Sequence, residues 1–270
     1  MPFVEIIRPV NVGIVFVSVL VGGWVGHPIV FSLPLILAAL AAAFSAAFGN
    51  VINDYYDIEA DRISHPHRPL PSGRVTKNLA LAFAILLGIS SLVIAFCVSL
   101  AIGGVVALAL AMLFLYPFKV KNTFLSNSLV ALLCSLAFLA GGVVTRNSLA
   151  VFPGAFAFFF HYAREIVKDV LDLQGDRTSK RRSLALTVGP DRALKFAANG
   201  LVILVLLLPL PVLLGRFHVR YLIAAAVTVV PVVLFILFKL LSHPDMKTLN
   251  LVSRLLKIGM AAGLGALCLV

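Results

Sequence analysis

The chain has 270 residues, of which 61% are hydrophobic and 12% are charged, and its formal net charge is +11. This composition excludes a water-soluble globular domain, because long apolar segments recur along the whole sequence. The positive charge fits a protein that meets anionic lipid headgroups or diphosphates, and it needs no nucleic acid to explain it. The sequence therefore predicts a protein that crosses the lipid bilayer several times.

The apolar segments define the expected helices. Each is close to the ~20 residues that cross ~30 Å of hydrocarbon as an α-helix. We expect an all-α integral membrane protein in which about nine helices form a single transmembrane domain over residues 1–270. In chain order the predicted segments are 9–28, 33–56, 78–98, 101–117, 125–145, 149–170, 195–215, 219–240 and 250–269.

Lysine and arginine are unevenly distributed among the connecting loops. If the N-terminus and the loops after the second, fourth, sixth and eighth segments face the cytoplasm, they hold nearly all of the 22 basic residues. The opposite loops then keep only Arg146, Arg216 and Arg220. Short loops rich in basic residues stay on the cytoplasmic side. The distribution predicts a multi-pass protein of the cell membrane whose acidic motifs face the cytoplasm.

Eight of the eleven acidic residues are concentrated at the ends of the second and sixth apolar segments. A carboxylate is unfavourable by roughly 2.5 to 3.5 kcal/mol at the centre of a membrane helix, so acidic residues in such surroundings usually have a function. Clustered oxygen ligands favour a hard divalent cation. The two groups are Asp54, Asp57, Glu59 and Asp61, and Glu165, Asp169, Asp172 and Asp176.

The spacing within each group is helical. Asn53, Asp57 and Asp61 recur at every fourth position, which places them along one face of a helix. Asp172 and Asp176 have the same spacing and follow Asn53 and Asp57 by 119 residues, which predicts a distant structural repeat. Magnesium normally uses one or two carboxylates per ion with phosphate oxygens and water. The pattern indicates a diphosphate cradle; the alternative is two solvated loops whose acids pair with neighbouring bases.

Basic residues flank both acidic groups. Arg164 and Lys168 lie one turn apart inside the sixth segment, close to the face that carries Asp169. Prolines and Gly73 end the helix after the first group, and we expect the following loop to cap the site. The remaining bases of these regions are Arg62, Arg68, Arg74 and Lys77, then Lys119 and Lys121 after Tyr116, and Arg177, Lys180, Arg181 and Arg182.

The first acidic group, Asn-Asp-x-x-Asp-x-x-x-Asp over 53–61 with His-Arg-Pro-Leu-Pro-Ser-Gly over 67–73, resembles the first signature of the UbiA superfamily of intramembrane prenyltransferases. The pattern Asp-x-x-Asp-x-x-x-Asp over 169–176 resembles their second signature, and the segment Tyr-Pro-Phe-Lys-Val-Lys over 116–121 also matches. The resemblance covers essentially the whole chain. It implies a ring of nine transmembrane helices around a central cavity capped on the cytoplasmic side. It also implies Mg²⁺-dependent transfer of a prenyl chain from a polyprenyl diphosphate to a lipophilic acceptor.

Residue roles follow from the motif positions. An allylic C–O bond ionises when Mg²⁺ and fixed Lys or Arg charges stabilise its diphosphate leaving group. The metal ligands that the resemblance implies are Asn53, Asp57, Asp172 and Asp176. The expected catalytic residues are Asp54, Asp57, Asp169, Lys119 and Lys121. The expected substrate-binding residues are Asp61, Arg68, Arg74, Tyr116, Arg164, Lys168, Arg181 and Arg182.

The segment 164–176 is most similar to the branch of the superfamily that makes archaeal ether lipids. This implies geranylgeranyl diphosphate as donor and geranylgeranylglyceryl phosphate as acceptor, alkylated at its free hydroxyl. The acceptor's phosphate needs additional positive charge, which Arg164, Lys168 and the bases at 180–182 would supply. An aromatic (quinone-precursor) or chlorophyll-type prenyltransferase is an alternative. Outside the family, the alternatives are a cation transporter and a CDP-alcohol phosphotransferase, whose Asp-Gly-x-x-Ala-Arg signature is missing.

Overall fold

The computed structural model describes residues 1–121, 123, 125–173, 183–242 and 244–270, and their regular structure is helical. A π-helical turn, Tyr116–Val120, follows α6, and a short 3₁₀ turn, Ser148–Ala150, precedes α8. The α-helices are α1 Pro2–Ile6, α2 Pro9–Trp24, α3 Leu33–Tyr56, α4 Ile58–Ser64, α5 Lys77–Val98, α6 Leu100–Leu115, α7 Ser126–Thr145, α8 Val151–Leu171, α9 Leu184–Val188, α10 Pro190–Leu207, α11 Leu210–Leu213, α12 Val219–Leu241 and α13 Met246–Leu267.

Within the described ranges, a helix lies at each of the nine predicted apolar segments. Among the described residues, five helical stretches have the length and apolar composition of membrane spans, namely α3, α5, α7, α12 and the combined stretch Pro190–Leu213. Two further helices, α2 and α6, are apolar but shorter. The all-helical class is therefore confirmed, and the crossing of the bilayer by all nine helices stays a prediction.

The chain forms two compact units, the first comprising Met1–Gly23, Val30–Asn122 and Leu136–Asn147, the second Trp24–Ile29, Thr123–Ser135 and Ser148–Val270. In the first unit, α3 packs against α5 and α6. The hydroxyls of Ser45 and Ser91 are 2.8 Å apart, and the Ser91 hydroxyl also donates to the Ala41 carbonyl at 2.7 Å. These buried groups thus satisfy one another, and α3 is held firmly on α5.

Glycines bring α2 and the C-terminal half of α7 into backbone contact within the first unit. A Cβ atom added to Gly22 would lie 2.0 Å from the Phe138 carbonyl oxygen, and one added to Gly141 would lie 1.9 Å from the Val19 carbonyl oxygen. Thr145 donates a hydrogen bond to the Gly23 carbonyl at 3.2 Å. Membrane helices commonly approach one another in this way through small residues.

In the second unit, α8 packs against α10 and α13. Its first turns carry aromatic rings that form an apolar core. Phe156 stacks on Tyr221 of α12 with 6.3 Å between ring centroids, and Phe217 meets the edge of Tyr221 at 5.1 Å. Phe156 precedes Asp169 by thirteen residues, or about 20 Å along a helix. The apolar core and the acidic residues therefore occupy opposite ends of α8.

The backbone contact at Gly22 generates a prediction for stability. Replacing Gly22 with leucine should lower the free energy of unfolding by at least ~1–3 kcal/mol, because backbone atoms of α7 would have to move. Gly13→Leu is the matched control, since it lies on the same helix and no described atom comes within 4 Å of its added Cβ. Thermal unfolding in detergent measures both variants, and equal midpoints for the two would contradict the proposed packing.

Candidate active site

The first acidic group lies where α3 ends and α4 begins. Asp57 occupies the junction with φ −91° and ψ 2°, and its carboxylate pairs with the ammonium of Lys121. Asn53 lies one turn earlier on α3. Within the described part of the chain, its Oδ1 atom is buried without a hydrogen-bond partner. The helix end thus presents an unsatisfied oxygen and a carboxylate at consecutive turns.

Two other carboxylates of this group are buried against arginines. Asp54, which is 2% exposed, accepts a 2.6 Å hydrogen bond from Arg8. The Nη1 atom of Arg68 lies 3.7 Å from the carboxylate of Asp54 and 2.7 Å from that of Asp61. Buried carboxylates without such partners would be strongly destabilising. Arg68 therefore joins both carboxylates and holds the loop after α4 on the end of α3.

Arg8 is a residue that the sequence analysis did not single out. It lies between α1 and α2 and has a left-handed backbone with φ +55°, which is unusual for a residue other than glycine. Its partner, Asp54, is 46 positions away in the sequence. The only available signal was that Arg8 is the sole base before the first apolar segment.

In the loop between α4 and α5, the apolar side chains of Leu70 and Val75 are buried. Arg74 does not join the acidic group. Its guanidinium donates to both carboxylate oxygens of Glu5 on α1, at 2.7 and 3.0 Å, and also to the His67 carbonyl. The hydrogen bonds from Arg74 to the Glu5 carboxylate lower the pKa of Glu5 from its ordinary value of 4.5. The pair's stabilisation is therefore complete above pH 4.5 and is lost as the pH falls through the lowered pKa.

The two lysines after α6 have different surroundings. The π-helical turn is closed by a 2.8 Å hydrogen bond from the Lys121 amide to the Tyr116 carbonyl, and Pro117 inside it has no N–H to continue the α-helical pattern. The turn leaves Lys119 exposed and directs Lys121 to Asp57. Of the two predicted lysines, the structure brings Lys121 to the acidic group.

The second acidic group includes an equivalent helix end. Asp172 caps α8 with φ −88° and ψ 5°, nearly the same conformation as Asp57 at the end of α3. This similarity relates Asp57 to Asp172 by an offset of 115 residues, which also relates Asp54 to Asp169. The repeat with an offset of 119 residues stays a prediction. The predicted residues Asp176, Arg181 and Arg182 lie outside the described residues.

Asp169 is held by a residue that the sequence analysis missed. Asn127, near the start of α7 and 3% exposed, donates from Nδ2 to Asp169 Oδ2 at 3.0 Å. The Ser126 hydroxyl donates to Asn127 Oδ1 at 3.2 Å, which fixes the orientation of the amide. An asparagine at the start of an apolar segment gave no local indication of this role, because its partner is 42 positions away.

The bases inside α8 also differ in their contacts. Arg164 donates a 2.6 Å hydrogen bond to the buried Glu165. Lys168 lies 3.9 Å from the other oxygen of Glu165, and its side chain is 54% exposed. Of these two predicted acceptor-binding bases, Arg164 thus lies closer to Glu165, and Lys168 is the more accessible.

The donor atoms fit a hard cation. Asn53 contributes a buried amide oxygen that has no hydrogen-bond partner among the described residues, and Asp57, one turn later, contributes a carboxylate at the end of the helix. Among the residues that the structure describes, no three histidine, cysteine or acidic side chains converge on one point. Magnesium is usually bound by few protein oxygens together with phosphate oxygens, and this donor set is compatible with that mode.

Comparison with known proteins identifies relatives over nearly the full length. Digeranylgeranylglyceryl phosphate synthase of Methanosphaera stadtmanae is 33% identical over 261 residues, covering 96% of this chain and 95% of the relative. The synthase of the same name from Methanocaldococcus jannaschii is 34% identical over 266 residues, covering 95% of this chain and 91% of the relative.

Solved structures show the same fold. A structure described as digeranylgeranylglyceryl phosphate synthase in membranes superposes with a TM-score of 0.83 at 33% identity, covering 98% of this chain and 96% of the other. A UbiA homolog from Archaeoglobus fulgidus bound to GPP and Mg²⁺ superposes with a TM-score of 0.73 at 20% identity, covering 99% and 100%. Residues 15–258 match the model of the UbiA prenyltransferase family. The acidic helix ends, the helical fold and these relatives together establish that the chain belongs to the UbiA prenyltransferase family.

Proposed function

We propose that the protein transfers a geranylgeranyl group from geranylgeranyl diphosphate to the free hydroxyl of geranylgeranylglyceryl phosphate. The observation that carries this proposal is the unsatisfied Asn53 oxygen one turn before Asp57, at a helix end surrounded by Lys121, Arg68 and Arg8. Such a site binds an anion together with a cation. The names of the relatives, which are digeranylgeranylglyceryl phosphate synthases, support the choice of acceptor.

The proposed ligands of Mg²⁺ are Asn53, Asp57, Asp172 and Asp176. When bound, Mg²⁺ supplies Lewis-acid stabilisation to the departing diphosphate. Asp54 and Asp61 have another role in this proposal, because their carboxylates face Arg8 and Arg68. We assign them to positioning these guanidiniums.

The chain's own residues then act on the charge that develops during transfer. Lys121, Lys119 and Arg68 stabilise the diphosphate as the prenyl C1–O bond breaks and the bonding electron pair leaves with oxygen. The acceptor hydroxyl oxygen forms the new C–O bond to C1 and loses its proton. Tyr116, beside the lysines in the π-helical turn, is proposed to contact the donor, as is Arg74, and Arg181 and Arg182 are proposed to bind the phosphate of the acceptor.

The organisation of the protein follows from its charge distribution. We propose that residues 1–270 act as one membrane domain crossed by nine helices, with the N-terminus and both acidic groups on the cytoplasmic side of the cell membrane. The basic residues beside both acidic groups support this orientation.

Transfer assays with purified protein test the function. Radiolabelled geranylgeranyl diphosphate is supplied with geranylgeranylglyceryl phosphate or with a phosphate-free phenol. We expect a doubly prenylated glyceryl phosphate as the product. Efficient prenylation of the phenol alone would instead place the enzyme with the aromatic prenyltransferases.

Loss of the metal ligands generates the first prediction here. Asp57→Ala and Asp172→Ala should each reduce kcat/KM by about a thousandfold or more, because the developing charge on the diphosphate loses its stabilisation. Circular dichroism should show unchanged helix content. Glu59→Ala is the control, since Glu59 is exposed on α4 and forms a solvent-exposed ion pair with Arg62. Near-normal turnover of either aspartate variant at saturating Mg²⁺ would contradict the metal assignment.

The contact between Asn127 and Asp169 generates the second prediction. Asn127→Asp should lower stability by about 1.5–3 kcal/mol, because a charge-assisted hydrogen bond becomes a contact between two carboxylates. The swap Asn127→Asp with Asp169→Asn recreates an amide–carboxylate pair and should restore the thermal midpoint. Activity should stay low in the swap because the carboxylate has moved to α7. Full activity of the swap would show that Asp169 serves only to hold Asn127.

The third prediction concerns the acceptor. Lys168 is exposed, whereas Arg164 is engaged by Glu165, so Lys168 is the better candidate to bind the acceptor's phosphate. Lys168→Met should raise the acceptor KM about tenfold to a hundredfold, the loss expected for a charge-assisted hydrogen bond, and leave the donor KM unchanged. Arg164→Met, the matched variant, should instead reduce stability. A parallel rise of both KM values in Lys168→Met would indicate a purely structural role.

A further inference from the structure

Lys121 contacts the carboxylate that the proposed function assigns to the metal. Its ammonium pairs with Asp57 Oδ2, and both side chains are largely buried, with 14% and 17% of their surface exposed. The amide hydrogen bond to Tyr116 closes the π-helical turn and fixes the backbone of Lys121 at this position. Lys119, two residues earlier on the same turn, is exposed. The contact is therefore specific to one of two neighbouring lysines.

An ammonium at a carboxylate opposes binding of a second cation there. Its charge lowers the negative potential that Asp57 offers to Mg²⁺, and the two like charges repel one another over a few ångströms in partly desolvated surroundings. A diphosphate changes this balance, because its oxygens are also acceptors for an ammonium. Once Lys121 bonds to a diphosphate, Asp57 regains its full affinity for the metal.

We propose that Lys121 couples the two binding events: paired with Asp57 it weakens binding of Mg²⁺ alone, and the prenyl diphosphate relieves this opposition by accepting the ammonium. The inference rests on the proposed function, since it requires Asp57 to be a metal ligand. Thermodynamic linkage makes the coupling reciprocal, so Mg²⁺ also strengthens diphosphate binding. Lys121 thereby favours assembly of the metal and the donor as a pair.

Calorimetric titration of Mg²⁺ into the purified full chain without donor tests the proposal. Lys121→Gln should bind Mg²⁺ about tenfold more tightly than the unaltered protein, because one positive charge near the metal ligand is removed. The same variant should show a donor KM raised about tenfold at saturating Mg²⁺, because it lacks the ammonium for the diphosphate. Opposite changes in the two affinities are the signature of coupling.

Two matched variants separate this effect from general electrostatics. Lys119→Gln removes the same charge from the exposed neighbour and should change Mg²⁺ affinity by less than about threefold, since exposed charges are screened. Lys121→Arg retains the charge and should keep weak Mg²⁺ binding. Equal tightening in the two glutamine variants, or none in Lys121→Gln, would overturn the proposal. Lys121→Met provides a second neutral variant should Lys121→Gln fold poorly.

Asp57→Asn distinguishes failure of this inference from failure of the proposed function. If Asp57→Asn abolishes Mg²⁺ binding while Lys121→Gln leaves it unchanged, Asp57 is a ligand and only the coupling is wrong. If Asp57→Asn binds Mg²⁺ as tightly as the unaltered protein, the assignment of Asp57 as a metal ligand is wrong, and the proposed coupling is wrong as well.

Discussion

The need to neutralise carboxylates at the ends of apolar helices governs the first unit of this protein. Asp54 is buried, and a carboxylate in such surroundings persists only with counter-charges. Two arginines supply these counter-charges: Arg8, which precedes α2, and Arg68, which lies in the loop after α4. Because Arg68 also binds Asp61, the same requirement ties the proline-containing loop to the helix that carries Asn53 and Asp57.

This arrangement separates two electrostatic tasks within one short motif. Asp54 and Asp61 hold arginines in place, whereas Asn53 and Asp57 present an unsatisfied oxygen and a carboxylate paired with Lys121. Successive residues of a helix point in different directions, so the neighbours Asn53 and Asp54 face different surroundings, and one motif of nine residues is sufficient for both tasks. In the proposed function, the positioned cations meet the diphosphate and the oxygen ligands meet the metal.

The second unit contains a similar helix end, but the corresponding carboxylate has a different hydrogen-bond partner. Asp172 ends α8 in nearly the same backbone conformation as Asp57 at the end of α3. Asp169, the counterpart of Asp54, is bound by the amide of Asn127 where Asp54 is bound by the guanidinium of Arg8. The described partner of Asp54 is thus a charged group, whereas the described partner of Asp169 is a neutral amide.

The sequence by itself determined the helical membrane class, the approximate bounds of nine helices and the two acidic motifs. Apolar runs and the spacing of acids along one helix face are local properties, so they can be read without coordinates. The family, too, was recognisable from these motifs.

Only the tertiary structure decided which charges meet. The partners of Asp54, Asp57 and Asp169 are 46, 64 and 42 positions away in the sequence, and no local pattern identifies Arg8, Lys121 or Asn127 as those partners. The pairing of Arg74 with Glu5 likewise depends on how α1 lies against the loop. Helix spacing fixes the face on which a side chain lies, whereas packing fixes what stands opposite to it.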